Sequence, residues 1–407
     1  MHILIYGINY SPELTGIGKY TAEMAEWLVQ NGNEVSVITA MPYYPEWEVH
    51  EKYREKWWYK EVINGVAVLR CPLYVPKEVS SKKRIIHEFS FLCSSSFRWF
   101  AALFRRKYDL IITLAPPFHI NIFPYLYSRL KKTLIVNHIQ DLQVDAAKDL
   151  NMLTNMHALN MMFAAEKFLL KNSAYVSTLT LGMKKRILQK GISESKILML
   201  PNWVDLSFIR PLTSKESLRG YFSIPEDDTV MLYSGNMGKK QGLDMLLLVA
   251  EMYKQRADVH FLMVGDGGEK DNLMRQARDR KLGNVLFHPL LTYEKLPALL
   301  ATADIHFVLQ KKEASDLVMP SKLTGILAAG GCAVVTAMPG TSLYEEIEEH
   351  DMGILCEPES ASALKEAIEK ALSEDHSMMK ANARRYAERF LDKNEILTDF
   401  IEKTQGK

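Results

Sequence analysis

The sequence has few cysteines, and they form no motif. Cys71, Cys93, Cys332 and Cys356 are scattered over 407 residues, and no two of them make a CxxC pair. A disulfide scaffold, a structural zinc site and a redox dithiol are therefore not expected, because each needs paired or clustered cysteines. A reducing, cytoplasmic compartment fits this cysteine usage best.

Long apolar runs and metal-binding motifs are absent as well. No run of about 18 uncharged apolar residues occurs, so we expect no transmembrane helix. The opening residues MHILIYGINY lack the charged segment and the long apolar core of a signal peptide. No DxD, HxxxH or HExxH motif and no Cys/His cluster occurs. We therefore expect neither a bound metal nor a cofactor.

Charge is distributed unevenly along the chain. Residues 1–205 carry 25 Lys and Arg against 18 Asp and Glu, a net charge of +7, whereas residues 206–407 carry 25 against 31, a net charge of −6. This asymmetry predicts two parts with different partners. Hydrophobic residues make up 47% of the chain and charged residues 24%, which is typical of a folded globular protein with two or three domains at this length.

Short apolar strands alternate with amphipathic helical stretches from end to end. The strands are predicted at 2–6, 34–38, 65–70, 109–113, 133–137, 174–177, 196–200, 229–234, 259–264, 284–287, 304–308, 332–336 and 353–355. Helices between the strands indicate βαβ units and parallel sheets. Two prolines break the pattern at 201–211. We therefore predict an α/β protein of two doubly wound Rossmann-like domains that face each other across a cleft.

Glycine-rich segments follow several of these strands. Gly16 and Gly18 open the first helix, the segment 235–241 follows the first strand of the second half, and 265–268 follows the next strand. Glycines let a ligand approach the main chain, and a helix N-terminus offers free N–H groups to an anion. Each segment alone is equally compatible with an ordinary turn. None has the GxGxxG fingerprint, so an NAD-dependent oxidoreductase is disfavoured.

Two further polar residues lie at positions that suggest a ligand. Lys322 occupies the first turn of an apolar helix, where the helix dipole disfavours a cation, and a bound phosphate would remove that conflict. A solvated lysine is the alternative. His138 lies at the carboxyl end of a strand, where it could contact a sugar or stabilise developing charge. A structural histidine is the alternative there.

Residues 77–107 combine positive charge with aromatic side chains. Eight basic residues against two acidic ones give a net charge of +6, and five phenylalanines and one tryptophan lie among them. Such a helix suits an anionic membrane surface, although a core helix with a solvated end is the alternative. No nucleic-acid recognition motif accompanies the charge, so no nucleic-acid partner is expected. The residues expected to face the membrane are Lys82, Lys83, Arg84, Trp99, Arg105 and Arg106.

Eight short segments together resemble one known family. They are SPELTGIGKYT at 11–21, NGNEV at 31–35, His138, LPNWVD at 200–205, SGN at 234–236, VGDG at 264–267, AD at 303–304, and PSK to AAG at 320–330. In this order and spacing the chain resembles the retaining glycosyltransferases of family 4, which have the GT-B fold. Within that family it is most similar to glycosyltransferases of colanic acid biosynthesis.

The resemblance implies a metal-independent, retaining transfer of a sugar from a nucleotide donor, GDP-fucose or a UDP-sugar. The acceptor would be a lipid-linked oligosaccharide in exopolysaccharide or cell-surface glycan synthesis. Residues 1–205 would form an acceptor domain that faces the membrane, and residues 206–385 a donor domain. The C-terminal helix at 386–407 would pack back onto the first domain. The protein would be cytoplasmic and peripherally attached to the inner face of the membrane.

The resemblance also assigns residues. His138 and Asp316 are the catalytic candidates. The residues expected to bind the donor and its phosphates are Gly16, Gly18, Gly235, Asn236, Lys239, Lys240, Gln241, Gly265, Asp266, Ser321, Lys322 and Leu323.

The chain departs from the family pattern at four positions. Members commonly have Arg and Lys where this chain has Asn236 and Gln241, and a pair of Glu where it has Leu317 and Gly325. Two alternatives therefore stay open: a catalytically degenerate sugar-nucleotide binding protein, and a sugar-nucleotide epimerase on the same fold. An epimerase would need acidic residues that converge in the cleft, and the sequence shows no convincing pair.

Overall fold

The computed structural model describes residues 1–13, 16–78, 80–149, 155–312 and 320–406. The chain divides into two compact units, which are Met1–Leu200 with Leu397–Lys407, and Pro201–Ile396. The boundary after Leu200 lies before the one predicted after residue 205. The reason is that Val204 forms main-chain hydrogen bonds with the second unit. Its N–H donates to the carbonyl oxygen of Leu391 (2.8 Å), and its own carbonyl accepts from the N–H of Lys393 (3.3 Å).

Unit 1 is built on an eight-stranded sheet. Its strands are β1 (His2–Tyr6), β2 (Glu34–Ala40), β3 (Tyr59–Ile63), β4 (Val66–Cys71), β5 (Leu110–Ala115), β6 (Leu134–Ile139), β7 (Tyr175–Thr178) and β8 (Ile197–Met199). The order is β3-β4-β2-β1-β5-β6-β7-β8, and every neighbouring pair is parallel except β3–β4. Strands β1 and β5 are buried along their whole length, as expected for a parallel sheet covered by helices on both faces.

In the described part of unit 1, six α-helices connect these strands. They are α1 (Gly16–Gln30), α2 (Ser81–Ala102), α3 (Ile122–Lys131), α4 (Gln143–Asp149), α5 (Met156–Asn172) and α6 (Leu181–Gln189). Side-chain caps fix several of their starts. Asn155 accepts two main-chain N–H groups at the start of α5, and Thr180 accepts one at the start of α6.

Unit 2 has a six-stranded, wholly parallel sheet. Its strands are β9 (Thr229–Ser234), β10 (Val259–Val264), β11 (Val285–His288), β12 (Ile305–Val308), β13 (Ala333–Thr336) and β14 (Ile354–Cys356). The order is β11-β10-β9-β12-β13-β14. The chain runs outward from β9 to β11 and returns to place β12 on the other side of β9. This reversal leaves a crevice beyond the carboxyl ends of β9 and β12, where ligands of doubly wound sheets bind.

The remaining helices belong mostly to unit 2. They are α7 (Asp244–Met252), α8 (Lys270–Asp279), α9 (Leu296–Leu300), α10 (Ser321–Ala328), α11 (Ser342–His350), α12 (Ala361–Ser373), α13 (Ser377–Phe390) and α14 (Lys393–Thr404). Helix α14 begins in unit 2, and its residues from Leu397 onward belong to unit 1. No helix in the described ranges is both long enough and apolar enough to cross a bilayer. The predicted architecture of two α/β units with parallel sheets is confirmed.

Candidate functional site

The loops that follow β9 and β10 lock together through their main chains. Gly235 donates its N–H to the carbonyl oxygen of Val264 (2.9 Å), and Met237 donates to that of Asp266 (2.8 Å). A side chain at Gly265 would overlap the carbonyl oxygen of Gly235. Gly235 itself has φ +130°, a conformation that favours glycine. The predicted glycines therefore bring two loops into direct contact at the carboxyl edge of the sheet.

The polar side chains of the first loop do different things. Gln241 accepts the N–H of Gly238 on Oε1 (3.1 Å), so its amide braces the turn. Asn236 accepts the hydroxyl of Tyr233 on its main-chain oxygen (2.6 Å), and its side chain is exposed. Lys239 and Lys240 are exposed on the same turn. The loop therefore presents two lysines outward, while the two positions where the family commonly has cations hold neutral amides.

Asp266 shapes the second loop. Its carboxylate accepts from the ammonium of Lys270 (2.6 Å) and from the N–H of Leu290 (3.3 Å). The hydrogen bond from Lys270 is the main reason that the pKa of Asp266 lies below its usual range. This carboxylate is therefore occupied within the loop.

The start of α10 contributes three of the predicted residues. Ser321 is exposed, and Lys322 turns its ammonium over the ring of Tyr233, 3.6 Å from the ring centroid. Leu323 is fully buried in the core of unit 2, and its N–H donates to the carbonyl oxygen of Pro320 (2.9 Å). The structure corrects the prediction for Leu323, because neither its side chain nor its N–H is available to a donor. The predicted catalytic candidate Asp316 lies outside the described residues.

A second group of predicted residues lies in unit 1, after β1. Gly16 opens α1 with φ +60°, and a Cβ at Gly18 would lie 3.0 Å from Oε2 of Glu13. Glu13 is buried, and it accepts the N–H groups of Tyr43 and Tyr44 (both 3.1 Å) on Oε1. Burial raises the pKa of Glu13 to about 7, against the effect of these hydrogen bonds. The sequence analysis missed this carboxylate.

Arg70 also holds the loop between β1 and α1 in place. It is fully buried at the end of β4, donates to Glu61 (2.8 Å), and also donates to the carbonyl oxygens of Ala40 (3.3 Å) and Ser11. Two buried charged residues therefore anchor the loop that leads into α1.

His138 lies inside β6 rather than after it. Its side chain is buried, and Nδ1 lies 3.0 Å from the hydroxyl oxygen of Ser177 on β7. Burial lowers the pKa of His138 to about 3, so the imidazole stays neutral. In this structure the ring is enclosed, and contact with a sugar would require the surrounding side chains to move.

The sequence analysis also missed a buried ionic cluster in unit 1. Lys190 donates to both Asp145 on α4 and Glu166 on α5, and all three side chains are largely buried. Glu166 also lines a cavity of about 10 Å³ with Asn137. That volume holds about one water molecule, so the cavity is too small for a sugar. The cluster is best understood as a structural tie between helices.

Exposed aromatic and basic side chains lie on the second half of α2, directly after it, and at 57–58. The exposed residues, which we call the α2 surface, are Trp57, Trp58, Phe97, Phe100, Phe104, Arg105, Arg106 and Lys107. The ring of Trp58 lies 5.7 Å from that of Phe97, and its Nε1–H donates to the carbonyl oxygen of Ser94 (3.0 Å), which fixes it beside the helix.

The other predicted membrane residues behave differently. Trp99 is only 4% exposed and packs against the rings of Tyr6 and Tyr127, 5.1 and 5.7 Å away. The prediction that Trp99 faces the membrane is therefore wrong. Lys82 and Arg84 are exposed and Lys83 is partly exposed. The basic groups of Lys83, Arg84 and Arg106 each pair with an acidic side chain, those of Glu78, Glu88 and Glu34.

Comparisons with known proteins decide the family. Two family models match the chain, Glycosyl transferases group 1 at residues 214–389 and the Glycosyl transferase 4-like domain at residues 15–203. The chain is 42% identical to the putative colanic acid biosynthesis glycosyl transferase WcaI of Escherichia coli K12, over the full length of both proteins. The chain belongs to the group 1 glycosyltransferases. The predictions of the family and of a glycosyltransferase activity are confirmed.

Solved structures agree with the fold of this glycosyltransferase. Sucrose-phosphate synthase from Thermosynechococcus elongatus superposes with a TM-score of 0.77 at 16% identity, over 100% of this chain and 98% of that one. Anabaena HepE in complex with UDP superposes with a TM-score of 0.73 at 15% identity, over the whole of both chains. These likenesses establish the GT-B fold.

Proposed function

We propose that this glycosyltransferase is a retaining, metal-independent enzyme that takes a sugar from a nucleotide-sugar donor. Its acceptor is a lipid-linked saccharide in the synthesis of an exopolysaccharide or another cell-surface glycan. The observation that carries the proposal is the pair of interlocked glycine loops in unit 2. They lie beside a lysine at the start of α10 whose buried ammonium has no hydrogen-bond partner among the described residues. The name of the WcaI relative and the UDP bound by HepE support it.

The donor's diphosphate fits the chemistry of these loops. Gly235 and Gly265 let the two loops pack closely at the carboxyl edge of the sheet, and the N-terminus of α10 contributes the positive end of a helix dipole there. Lys239, Lys240 and Lys322 bring positive charge to the same edge of the sheet. Together these groups would neutralise the diphosphate in the way that a bound metal does in other enzymes.

The proposed reaction needs no protein nucleophile. The acceptor hydroxyl oxygen bonds to the anomeric carbon on the face that the diphosphate leaves, so the configuration is retained. The bond between the anomeric carbon and the phosphate oxygen breaks, and that oxygen takes the proton of the acceptor hydroxyl. The loops and lysines of unit 2 stabilise the negative charge that develops on the leaving diphosphate.

The acceptor's lipid would be reached from the α2 surface. The five exposed aromatic side chains of this surface would enter the interfacial region of the membrane. Arg105, Arg106 and Lys107 would contact anionic headgroups, and each basic residue would contribute about 1 kcal/mol to the binding free energy. The mixture of apolar and basic side chains on one face favours a membrane over a protein partner. This surface belongs to unit 1, the half of the sequence that carries the positive charge.

The donor is tested by the thermal stability of the protein with UDP, GDP, CDP, ADP and NAD, each in EDTA and in magnesium. A ligand at 100 times its Kd adds about 2.7 kcal/mol to the free energy of unfolding. We expect one nucleoside diphosphate to raise the melting temperature equally in both conditions, and the matching nucleotide sugar to be consumed. NMR of the product's anomeric proton then reads the configuration. A response only to NAD, or only in magnesium, would contradict the proposal, and binding without turnover would indicate a degenerate protein.

The membrane contact is tested by co-sedimentation with phosphatidylglycerol vesicles, with phosphatidylcholine vesicles as the neutral reference. The double variant Phe100→Ala and Phe104→Ala should reduce the bound fraction several-fold, because it removes two exposed rings without disturbing the core. Met378→Ala is the matched control, since Met378 is equally exposed but lies on α13 in unit 2. The proposal that this surface binds the membrane would be contradicted if both variants lost the same fraction of vesicle binding. It would also be contradicted if the wild type showed no preference for the anionic vesicles.

A further inference from the structure

Lys322 is the most unusual charged group in unit 2. Its ammonium nitrogen is buried and has no hydrogen-bond partner among the residues that the structure describes. It lies 3.6 Å from the centroid of the Tyr233 ring, and a Cβ at Gly235 would come within 3.4 Å of it. The hydroxyl of Tyr233 donates to the carbonyl oxygen of Asn236, so that ring is a neutral phenol.

A charge in this position is poorly stabilised while the site is empty. The face of an aromatic ring attracts a cation, but it replaces only part of the lost hydration. Burial accordingly lowers the pKa of Lys322 to about 7. At a pH above 7 the side chain is therefore mostly a neutral amine, which the apolar surroundings accommodate.

Within the part of the chain that the structure describes, the ionisable groups on the neighbouring elements do not remove this conflict. Lys239 and Lys240, on the turn after β9, are exposed and would only disfavour a further positive charge. Asp266, on the loop after β10, is committed to Lys270. His306 on β12 is buried, and its pKa is lowered by burial to about 3, so it is neutral.

We propose that Lys322 is the proton-accepting ligand of the donor's diphosphate, a neutral amine in the empty site that takes up a proton as the phosphate oxygens bind. The inference rests on the proposed nucleotide donor. The phosphate supplies the negative charge that Lys322 lacks, and the resulting ammonium donates hydrogen bonds to it. The positive charge thus comes from α10, while Asn236 and Gln241 stay neutral in the loop.

Isothermal titration calorimetry tests the proton uptake. The nucleoside diphosphate identified by thermal stability is titrated at pH 8.5, where its phosphates are fully ionised, in buffers of different ionisation enthalpy. We expect close to one proton to be taken up for each nucleotide bound. Linkage then requires Kd to rise almost tenfold for each pH unit well above pH 7.

Two variants identify the group that takes up the proton. Lys322→Arg carries a charge that does not titrate in this range, so we expect it to bind the nucleotide with no proton uptake and with a flat pH profile. Lys239→Met, which removes an exposed lysine of the same edge, should bind more weakly but keep the uptake. Melting curves without nucleotide show that each variant is folded.

The outcomes separate this inference from the proposed function. Nucleotide binding to the wild type without proton uptake, or equal uptake in the wild type and Lys322→Arg, would overturn the role of Lys322 and leave the donor proposal standing. A failure of every nucleoside diphosphate to bind would overturn both. Uptake that disappears in Lys322→Arg and persists in Lys239→Met supports the inference.

Discussion

Replacing Glu13 with glutamine should change how the stability of unit 1 depends on pH. The carboxylate is 5% exposed, and burial raises its pKa from 4.5 to about 7. A carboxyl group whose pKa is raised by folding binds its proton more tightly in the native state. Its contribution to stability is therefore complete below about pH 4.5 and is lost as the pH rises to 7.

The magnitude follows from that shift. Between pH 5 and pH 8 the linkage amounts to about 2–3 kcal/mol for this one group. Glutamine at position 13 stays neutral, and its side-chain oxygen can still accept the N–H groups of Tyr43 and Tyr44. The free energy of unfolding of Glu13→Gln should thus match that of the wild type near pH 5 and exceed it by about 2–3 kcal/mol at pH 8. For a unit of this size that is a difference of about 5–10 °C in melting temperature.

Differential scanning calorimetry at pH 5, 6, 7 and 8 is the suitable assay, because it resolves separate transitions of the two units. The buried histidines also make stability depend on pH, because their neutral form is lost as the pH falls. They are the same in both proteins, so the difference in stability between variant and wild type at each pH isolates the contribution of Glu13. Glu78→Gln controls for the loss of one negative charge, since that side chain is 91% exposed. A stability difference between Glu13→Gln and the wild type that does not change with pH would refute the reasoning.

Three further predictions concern packing and charge. Trp99→Ala should cost about 3–5 kcal/mol of stability, whereas Phe104→Ala, at a ring 77% exposed, should cost less than about 0.5 kcal/mol in a denaturant titration. Gly265→Ala should abolish nucleotide binding, because its Cβ would overlap the neighbouring loop, and Gly268→Ala, which meets nothing within 4 Å, should bind normally in calorimetry. Lys190→Met should cost about 3–5 kcal/mol at pH 7, because it leaves two carboxylates without their cation, and equal denaturation midpoints in variant and wild type would contradict this.

The strands were predictable because their apolar runs are long and continuous. Buried parallel strands such as β5 carry no polar alternation, so LIITLA is visible in the sequence without any knowledge of its neighbours. Strand β3 was missed because its sequence YKEVI is half charged and partly exposed. The signal that could have found it is Asn64-Gly65, where both residues have positive φ and form the hairpin turn to β4.

The position of Trp99 could have been predicted from helical spacing. Phe91, Ser95 and Trp99 recur every four residues of α2 and are all buried, while Phe100 and Phe104 lie on another face. The prediction treated all aromatic residues of the segment 77–107 as one group, and therefore did not separate the buried face of the helix from the exposed one. The hydroxyl of Ser95 lies 2.6 Å from that of Tyr6, which shows that the buried face includes a polar contact as well as rings.

The buried charges could not be predicted in the same way, because their environments come from distant parts of the chain. Burial raises the pKa of Glu13 to about 7 although the N–H groups of Tyr43 and Tyr44 act in the opposite direction, and the ammonium of Lys322 lies over the ring of Tyr233 on β9. The helix-dipole argument singled out Lys322 from the sequence, yet it could not show that the amine is shielded from water.

The same tertiary packing that interlocks the loops at Gly235 and Gly265 leaves little room for long side chains within them. Lys322 starts from helix α10, and its ammonium reaches the ring of Tyr233 beside these loops. Lys239 lies on the loop itself, and its side chain extends into solvent. If the proposal for Lys322 holds, packing rather than motif position determines which element supplies the phosphate-binding charge.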